Sequence, residues 1–226
     1  MLVNRGLAIG MLALLASAWV VCGQGAMGAR SNRGVEIERQ DDAVVNVAQS
    51  TTDGGRAPMV SVKVFNAEGE LVGPVEMAKV IKTEREWQLI LTPDQFRIAR
   101  ASGTERPFCG TLLDNKKEGV YTCICCQLPL FTSDAKFNSG TGWPSFFQPI
   151  AKENIATKMD HSHGMQRVEI LCTRCDCHLG HVFNDGPRPT GLRFCVNSES
   201  LSFTDAEDVK SLADEAAAHG SDKSDR

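Results

Sequence analysis

No basic excess marks this 226-residue chain: 24 lysines and arginines face 28 acidic residues, leaving a net charge of −4. Nucleic-acid binders usually carry a strong positive surplus, so no nucleic-acid partner is expected. A collagen-like glycine period is also missing, as is any internal repeat of roughly 20 to 50 residues. With 23% charged and 42% hydrophobic residues the chain lacks the composition of wholesale disorder. It is too short for two full-sized domains and long enough for one domain with a core and terminal extensions. Cysteine is the outlier. Of nine, Cys22 stands apart and the other eight fall between Cys109 and Cys195, so the chemistry is expected there.

The two ends read differently from the middle. Residues 1–29 have the form of a signal peptide: Arg5, then an uncharged run with an apolar heart over residues 7–21 and an exit of small residues. The run is long enough for a retained membrane anchor, but its Gly, Ala and Ser content and the absence of a positive flank favour cleavage. Export to a periplasmic or secreted location follows, with no stable membrane association once the leader is gone. Val21 occupies the position before Cys22 where lipidation favours a small residue, so Cys22 is given no function. Residues 30–81 read as a linker ending in a short β-hairpin, with Val60, Val62 and Val64 alternating before the turn Asn66-Ala67-Glu68-Gly69. Residues 205–226 read as an acidic tail, a solvated helix or frayed end.

Between these, residues 82–204 carry the domain. Thr83 with Glu86 and Thr92 with Gln95 have capping-box spacing, the second with Pro93 at the first helical position, so two short helices precede the cysteines and Gly103 closes the second. Residues 120–124, 166–171 and 191–196 read as strands. Cys123-x-x-Cys126 and Cys172-x-x-Cys175 each follow a strand, and two such knuckles close one four-thiolate zinc site. Four thiolates leave no open position, so that single zinc ion is structural. A disulfide framework competes with this reading in an exported chain, but Cys125 and Cys177 complicate any simple pairing and are read as buried thiols. His178 and His181, three apart beside the second knuckle, offer an alternative Cys-His site.

Three further segments, Lys136-Phe137-Asn138-Ser139-Gly140-Thr141-Gly142-Trp143-Pro144-Ser145-Phe146, His178-Leu179-Gly180-His181-Val182-Phe183-Asn184-Asp185-Gly186-Pro187 and Arg193-Phe194-Cys195-Val196-Asn197-Ser198, are similar to the signatures of the B-type methionine-R-sulfoxide reductases. Thr104-Glu105-Arg106-Pro107-Phe108 and Ser162-His163-Gly164-Met165 resemble the same family, and the knuckles lie where its zinc-bearing members have them. The resemblance runs from about Lys82 to Thr204. It implies a mainly β, Mss4-like architecture: a compact antiparallel sheet domain with short N-terminal helices and a structural zinc site.

The residues suit that chemistry. Cys195 lies in a strand with Arg193 two positions away on the same face, and a nearby cation favours a thiolate nucleophile. Trp143 sits in a Gly-rich loop stiffened by Pro144 and can wall a substrate pocket, whereas Trp87 reads as packing. By resemblance, Trp143 shapes the pocket for the sulfoxide methyl with Phe183 as a second wall, and His178, His181 and Asn197 supply hydrogen bonds or a proton to the oxygen. His161 and His163 read as structural or exposed, and His219 belongs to the tail. Cys195 would become a sulfenic acid. Many relatives place the rescuing cysteine where this chain has Thr141; some others place it where Cys109 stands, so Cys109 is the expected resolving thiol. The expected partners are oxidised protein substrates and a thioredoxin-like dithiol; no organic cofactor is needed, and a monomer is expected. A zinc-binding adaptor and a thiol-disulfide exchanger are the rival readings.

Overall fold

The computed structural model describes residues 57–220. The leader, Cys22, residues 30–56 of the linker and residues 221–226 of the tail lie outside the described residues. The domain is mainly β. Its strands in chain order are β1 (Met59–Phe65), β2 (Leu71–Ala78), β3 (Gly119–Cys123), β4 (Pro129–Thr132), β5 (Lys136–Phe137), β6 (Ser145–Phe146), β7 (Ile155–Asp160), β8 (Arg167–Cys172), β9 (His178–Phe183), β10 (Arg193–Val196) and β11 (Leu201–Asp205). All pair antiparallel, β1 with β2, then β5-β6-β10-β9-β8-β7 in one sheet and β11-β3-β4 in another. Among the described residues no helix is long and apolar enough to cross a membrane.

Two seven-residue helices, α1 (Glu84–Ile90) and α2 (Pro93–Ala99), precede β3. Helices this short lose too much to nucleation to stand alone. Reciprocal caps offset part of that cost: Glu86 N donates to Thr83 Oγ1 and Thr83 N to Glu86 Oε2, and Thr92 and Gln95 repeat the arrangement. Packing supplies the rest, with Trp87 1% exposed and the Arg100 guanidinium 4.9 Å from its ring centre. Gly103 does not supply the left-handed turn expected of it. Ser102 does, at φ 51, and Gly103 is small for a different reason: a Cβ there would meet Arg97 O at 2.7 Å.

Strand alternation sorts the six-stranded sheet into two faces. One register row reads Phe146, Phe194, Val182, Val168 and Met159; the neighbouring row reads Ser145, Cys195, His181, Glu169 and Lys158. The first row turns Phe146 and Phe194 inward, leaving Met159 exposed at the rim, and Phe146 stacks on Phe131 of β4 at 4.3 Å and meets Tyr121 of β3 edge-on at 5.0 Å. Phe194 also meets Phe131, and Tyr121 meets Phe203 of β11. This aromatic cluster joins the two sheets and leaves the second row facing away from it.

The hairpin is part of the same body. It extends to Ala78, beyond the alternation visible up to Val72. Fully buried Asn154 pins it, accepting from Lys63 N at 2.8 Å and donating to Lys63 O and Pro129 O at 2.8 and 2.7 Å. The tail differs from its expected solvated form as far as it is described. Asp214 N donates to Phe65 O, Asp214 pairs with Arg174 at 2.8 Å and Ala217 is buried. A backbone bond, one part-buried ion pair and a buried alanine dock a segment whose composition reads as solvated.

Candidate active site

Cys195 occupies the middle of the second row, between Ser145 of β6 and His181 of β9. The backbone here is tight: at Gly180 (φ +149) a Cβ would lie 2.0 Å from Cys195 O, so only glycine lets β9 pass β10 so closely. Cys195, His181, Phe183, Arg167, Asn197 and Trp143 all line one cavity of about 120 Å³. Thr104, which the sequence placed in a family-like motif without a role of its own, also lines it.

Arg193 shares a face with Cys195, as the period of two requires, but its charge is largely spent elsewhere. Its Nε and Nη2 donate to Asp185 Oδ1 and Oδ2, both at 2.9 Å, and its guanidinium lies 4.5 Å from the Phe183 ring centre. Burial pushes the Cys195 thiol above its ordinary range; Arg193 and a hydrogen bond with Thr141 pull it down without winning. Thr141 belongs to a hydroxyl chain in which Ser139 Oγ lies 2.8 Å from both Thr141 Oγ1 and Ser145 Oγ.

His178 and His181 are not equivalent. Glu169 faces His181 across the ladder, and a bulge opposite Leu171 lets His178 share that face although it lies three residues away. The result is an edge-to-face pair of imidazoles 5.7 Å apart. His178 is 4% exposed, holds Glu169 Oε1 at 2.6 Å through Nδ1, and is not among the residues lining the cavity. The ring at the cavity wall is His181, whose Nε2 lies 2.8 Å from Asp160 Oδ2. Burial lowers the His181 pKa despite that carboxylate, so the ring is neutral at neutral pH, with the Asp160 contact placing its hydrogen on Nε2.

Asp160 and Arg167 were not legible as site residues. Asp160 also receives Arg167 Nη2 at 2.6 Å and Ser162 N at 2.8 Å. The Ser162 hydroxyl and amide, then His181 and Arg167, hold its carboxyl well below the usual carboxylate range. A depressed acid contributes stability above its unfolded pKa and loses it as pH falls. The melting-temperature gap between wild type and Asp160→Asn is accordingly expected to be full at neutral pH and to shrink below about pH 4. Thermal melts across that range check this, and a gap independent of pH would remove the carboxylate from the account.

Asn197 is held on two sides and keeps one donor. Its Oδ1 accepts from Glu105 N at 3.1 Å and its Nδ2 donates to Leu179 O at 3.1 Å, which leaves one amide hydrogen for the cavity. Glu105 is the hidden support. Its backbone oxygen accepts from Trp143 Nε1 at 3.2 Å, and its buried carboxylate takes Ser198 N at 2.8 Å and Glu199 N at 3.1 Å. Burial raises its pKa against those bonds. Glu105→Ala strands one buried and one part-buried N–H group, so it is expected to cost about 2–4 kcal/mol in urea unfolding. A cost below about 0.5 kcal/mol would place the support elsewhere.

At the other end of β9 the knuckle sulfurs converge. Those of Cys123, Cys126, Cys172 and Cys175 all lie within 4.8 Å of one another. Cys123–Cys175 and Cys126–Cys172 are 3.6 and 3.5 Å apart, far beyond the roughly 2.05 Å of a disulfide. A tetrahedral ion with metal–sulfur bonds of about 2.3 Å spaces its ligands by about 3.8 Å, so this cluster can hold a metal. Neither imidazole has a nitrogen within the group of converging donor atoms, so the alternative Cys-His site is set aside. Cys109 is exposed and is not among the converging donors. Its neighbour Phe108 donates N–H to Gly142 O at 2.8 Å, which seats the Phe108 turn on the Trp143 loop.

Residues 91–205 match the SelR domain family. The chain is 55% identical over 139 residues to the "Peptide methionine sulfoxide reductase MsrB" of Hahella chejuensis, covering 62% of this chain and 100% of that protein. It is 53% identical over 131 residues to the protein of that name from Methanosarcina mazei, 58% of this chain and 94% of the relative. It is 58% identical over 123 residues to that of Synechococcus sp., 54% of this chain and 90% of the relative.

Proposed function

The chain belongs to the SelR domain family, and on that premise we propose that it reduces methionine-R-sulfoxide in oxidised proteins back to methionine. The observation that carries this reading is the row Ser145-Cys195-His181 set beside Trp143 in one small cavity. A sulfoxide presents an apolar methyl, a polar oxygen and an electrophilic sulfur, and the cavity meets them with aromatic walls, an imidazole and a thiol.

Cys195 attacks the sulfoxide sulfur, the S–O bond breaks, methionine leaves and the oxygen stays on Cys195 as a sulfenic acid. The thiol proton ends on that oxygen, so atoms and charge balance. His181 is the group at the cavity wall that can carry the proton, with Asp160 stabilising the imidazolium formed on the way. His178 and Glu169 support that ring from behind, and Trp143 and Phe183 hold the methyl. Cys109 then displaces hydroxide from the sulfenic acid, giving a disulfide and water, and a thioredoxin-like dithiol reduces the disulfide. The docking of the Phe108 turn on the Trp143 loop supports this choice of resolving thiol.

Cys123, Cys126, Cys172 and Cys175 would hold one zinc ion, which supplies a cross-link and no reactive position. Two thiolate pairs committed to one ion leave no reactive Cys-x-x-Cys for general thiol exchange. The leader-like residues 1–29 support export, with the protein working as a monomer on a reductant supplied outside the cytosol. The test is turnover on resolved diastereomers of a sulfoxide peptide with dithiothreitol as reductant. The R form should react at least about 100-fold faster than the S form; turnover of neither, or of both alike, overturns the reading.

A further inference from the structure

The two knuckles are built alike down to single hydrogen bonds. Gln127 N donates to Cys123 O at 2.8 Å and Asp176 N to Cys172 O at 2.9 Å, and Gln127 and Asp176 both adopt positive φ, 62 and 57. Cys123 N donates to Leu128 O and Cys172 N to Cys177 O, so Cys177 stands where the first knuckle has a leucine. Cys125 and Arg174 are likewise counterparts, and Arg174 is paired with Asp214. Each knuckle thus carries one thiol that its twin lacks. Those two extra thiols meet: the sulfurs of Cys125 and Cys177 lie within 4.8 Å of each other and of Cys123. Cys177 is fully buried. Beside them Arg100, held by Cys175 O at 2.7 Å, sets a fixed positive charge against a growing count of sulfur donors.

We propose that Cys123, Cys125 and Cys177 form a second metal site, a three-thiolate site for a soft monovalent ion of the Cu(I) kind. Cys123 bridges it to the four-thiolate site. The donor set is sulfur alone, and thiolates select soft ions. Three donors suit a trigonal monovalent ion, whereas a second zinc would demand a fourth ligand, and the group has three. Binding releases the protons of Cys125 and Cys177 and changes no oxidation state. The site is independent of the chemistry at Cys195, but shares Cys123 with the zinc reading.

The test uses the full-length zinc-loaded protein with Cys22, Cys109 and Cys195 replaced by serine, titrated anaerobically with Cu(I) and followed by native mass spectrometry and X-ray absorption. One Cu(I) per chain, bound by three sulfurs with the zinc retained, is expected. Adding Cys177→Ala or Cys125→Ser should weaken Cu(I) binding by at least about 100-fold and leave zinc in place, which also reports that the variant is folded. Displacement of zinc by Cu(I), equal Cu(I) affinity in those variants, a Cys125–Cys177 disulfide in the isolated protein, or absence of Cu(I) uptake overturns the site. A protein that holds no zinc at all fails the four-thiolate reading instead, and the two failures are told apart by the zinc content before titration.

Discussion

Replacing Cys195 by serine is expected to lower kcat/KM on methionine-R-sulfoxide by at least about 10⁴-fold, or roughly 5.4 kcal/mol of transition-state stabilisation. The magnitude follows from the step being asked of the residue. A serine hydroxyl does not ionise near neutral pH, is a far weaker nucleophile than sulfur, and cannot store the oxygen as a sulfenic acid. The surroundings should tolerate the change, because Cys195 is only half-buried and Thr141 can hydrogen-bond a hydroxyl as it does the thiol. Unfolding midpoints should therefore agree between the two proteins while turnover does not. Activity within about tenfold of wild type would mean that another group takes the oxygen.

Stripping the metal is expected to have the largest effect on stability. The paired ligands Cys126 and Cys172 lie 46 positions apart, and a cross-link closing a loop of about 45 residues is worth roughly 4 kcal/mol in chain entropy alone. At about 2–4 °C per kcal/mol for a domain of this size, the chelated protein or a Cys172→Ser variant should melt about 10 °C or more below the zinc-loaded one. Calorimetry with metal analysis on the same samples checks this. An unchanged melting temperature after the zinc has gone would reduce the cluster to four buried thiols.

Local rules made some of the fold legible. Capping boxes located α1 and α2 because each is decided within four residues. Alternation located the hairpin and the strands that became β3, β8 and β10. The outer strand β7, with its half-buried and exposed pattern, gave no apolar alternation to read. At the site, Cys195, Trp143 and His181 stood out by chemistry and motif. Glu105 did not, since its value lies in meeting Ser198 and Asn197, some 93 and 92 positions away. Asp160 and Arg167 escaped for a similar reason: only the register of β7 against β8 puts them side by side. That Asp185 takes both ends of the Arg193 guanidinium, and that burial opposes Arg193 at Cys195, a spacing of two does not reveal.

Asp160 is the last residue of β7, the rim of the six-stranded sheet, yet it steers an imidazole two strands further in. Rim strands open first in amide-exchange experiments, well below the global unfolding free energy. On the role proposed for His181, turnover is thereby tied to a rim strand of the sheet. On heating, turnover should fade several degrees before the core melts, and anything that clamps the rim should widen the working range of the enzyme without touching the nucleophile.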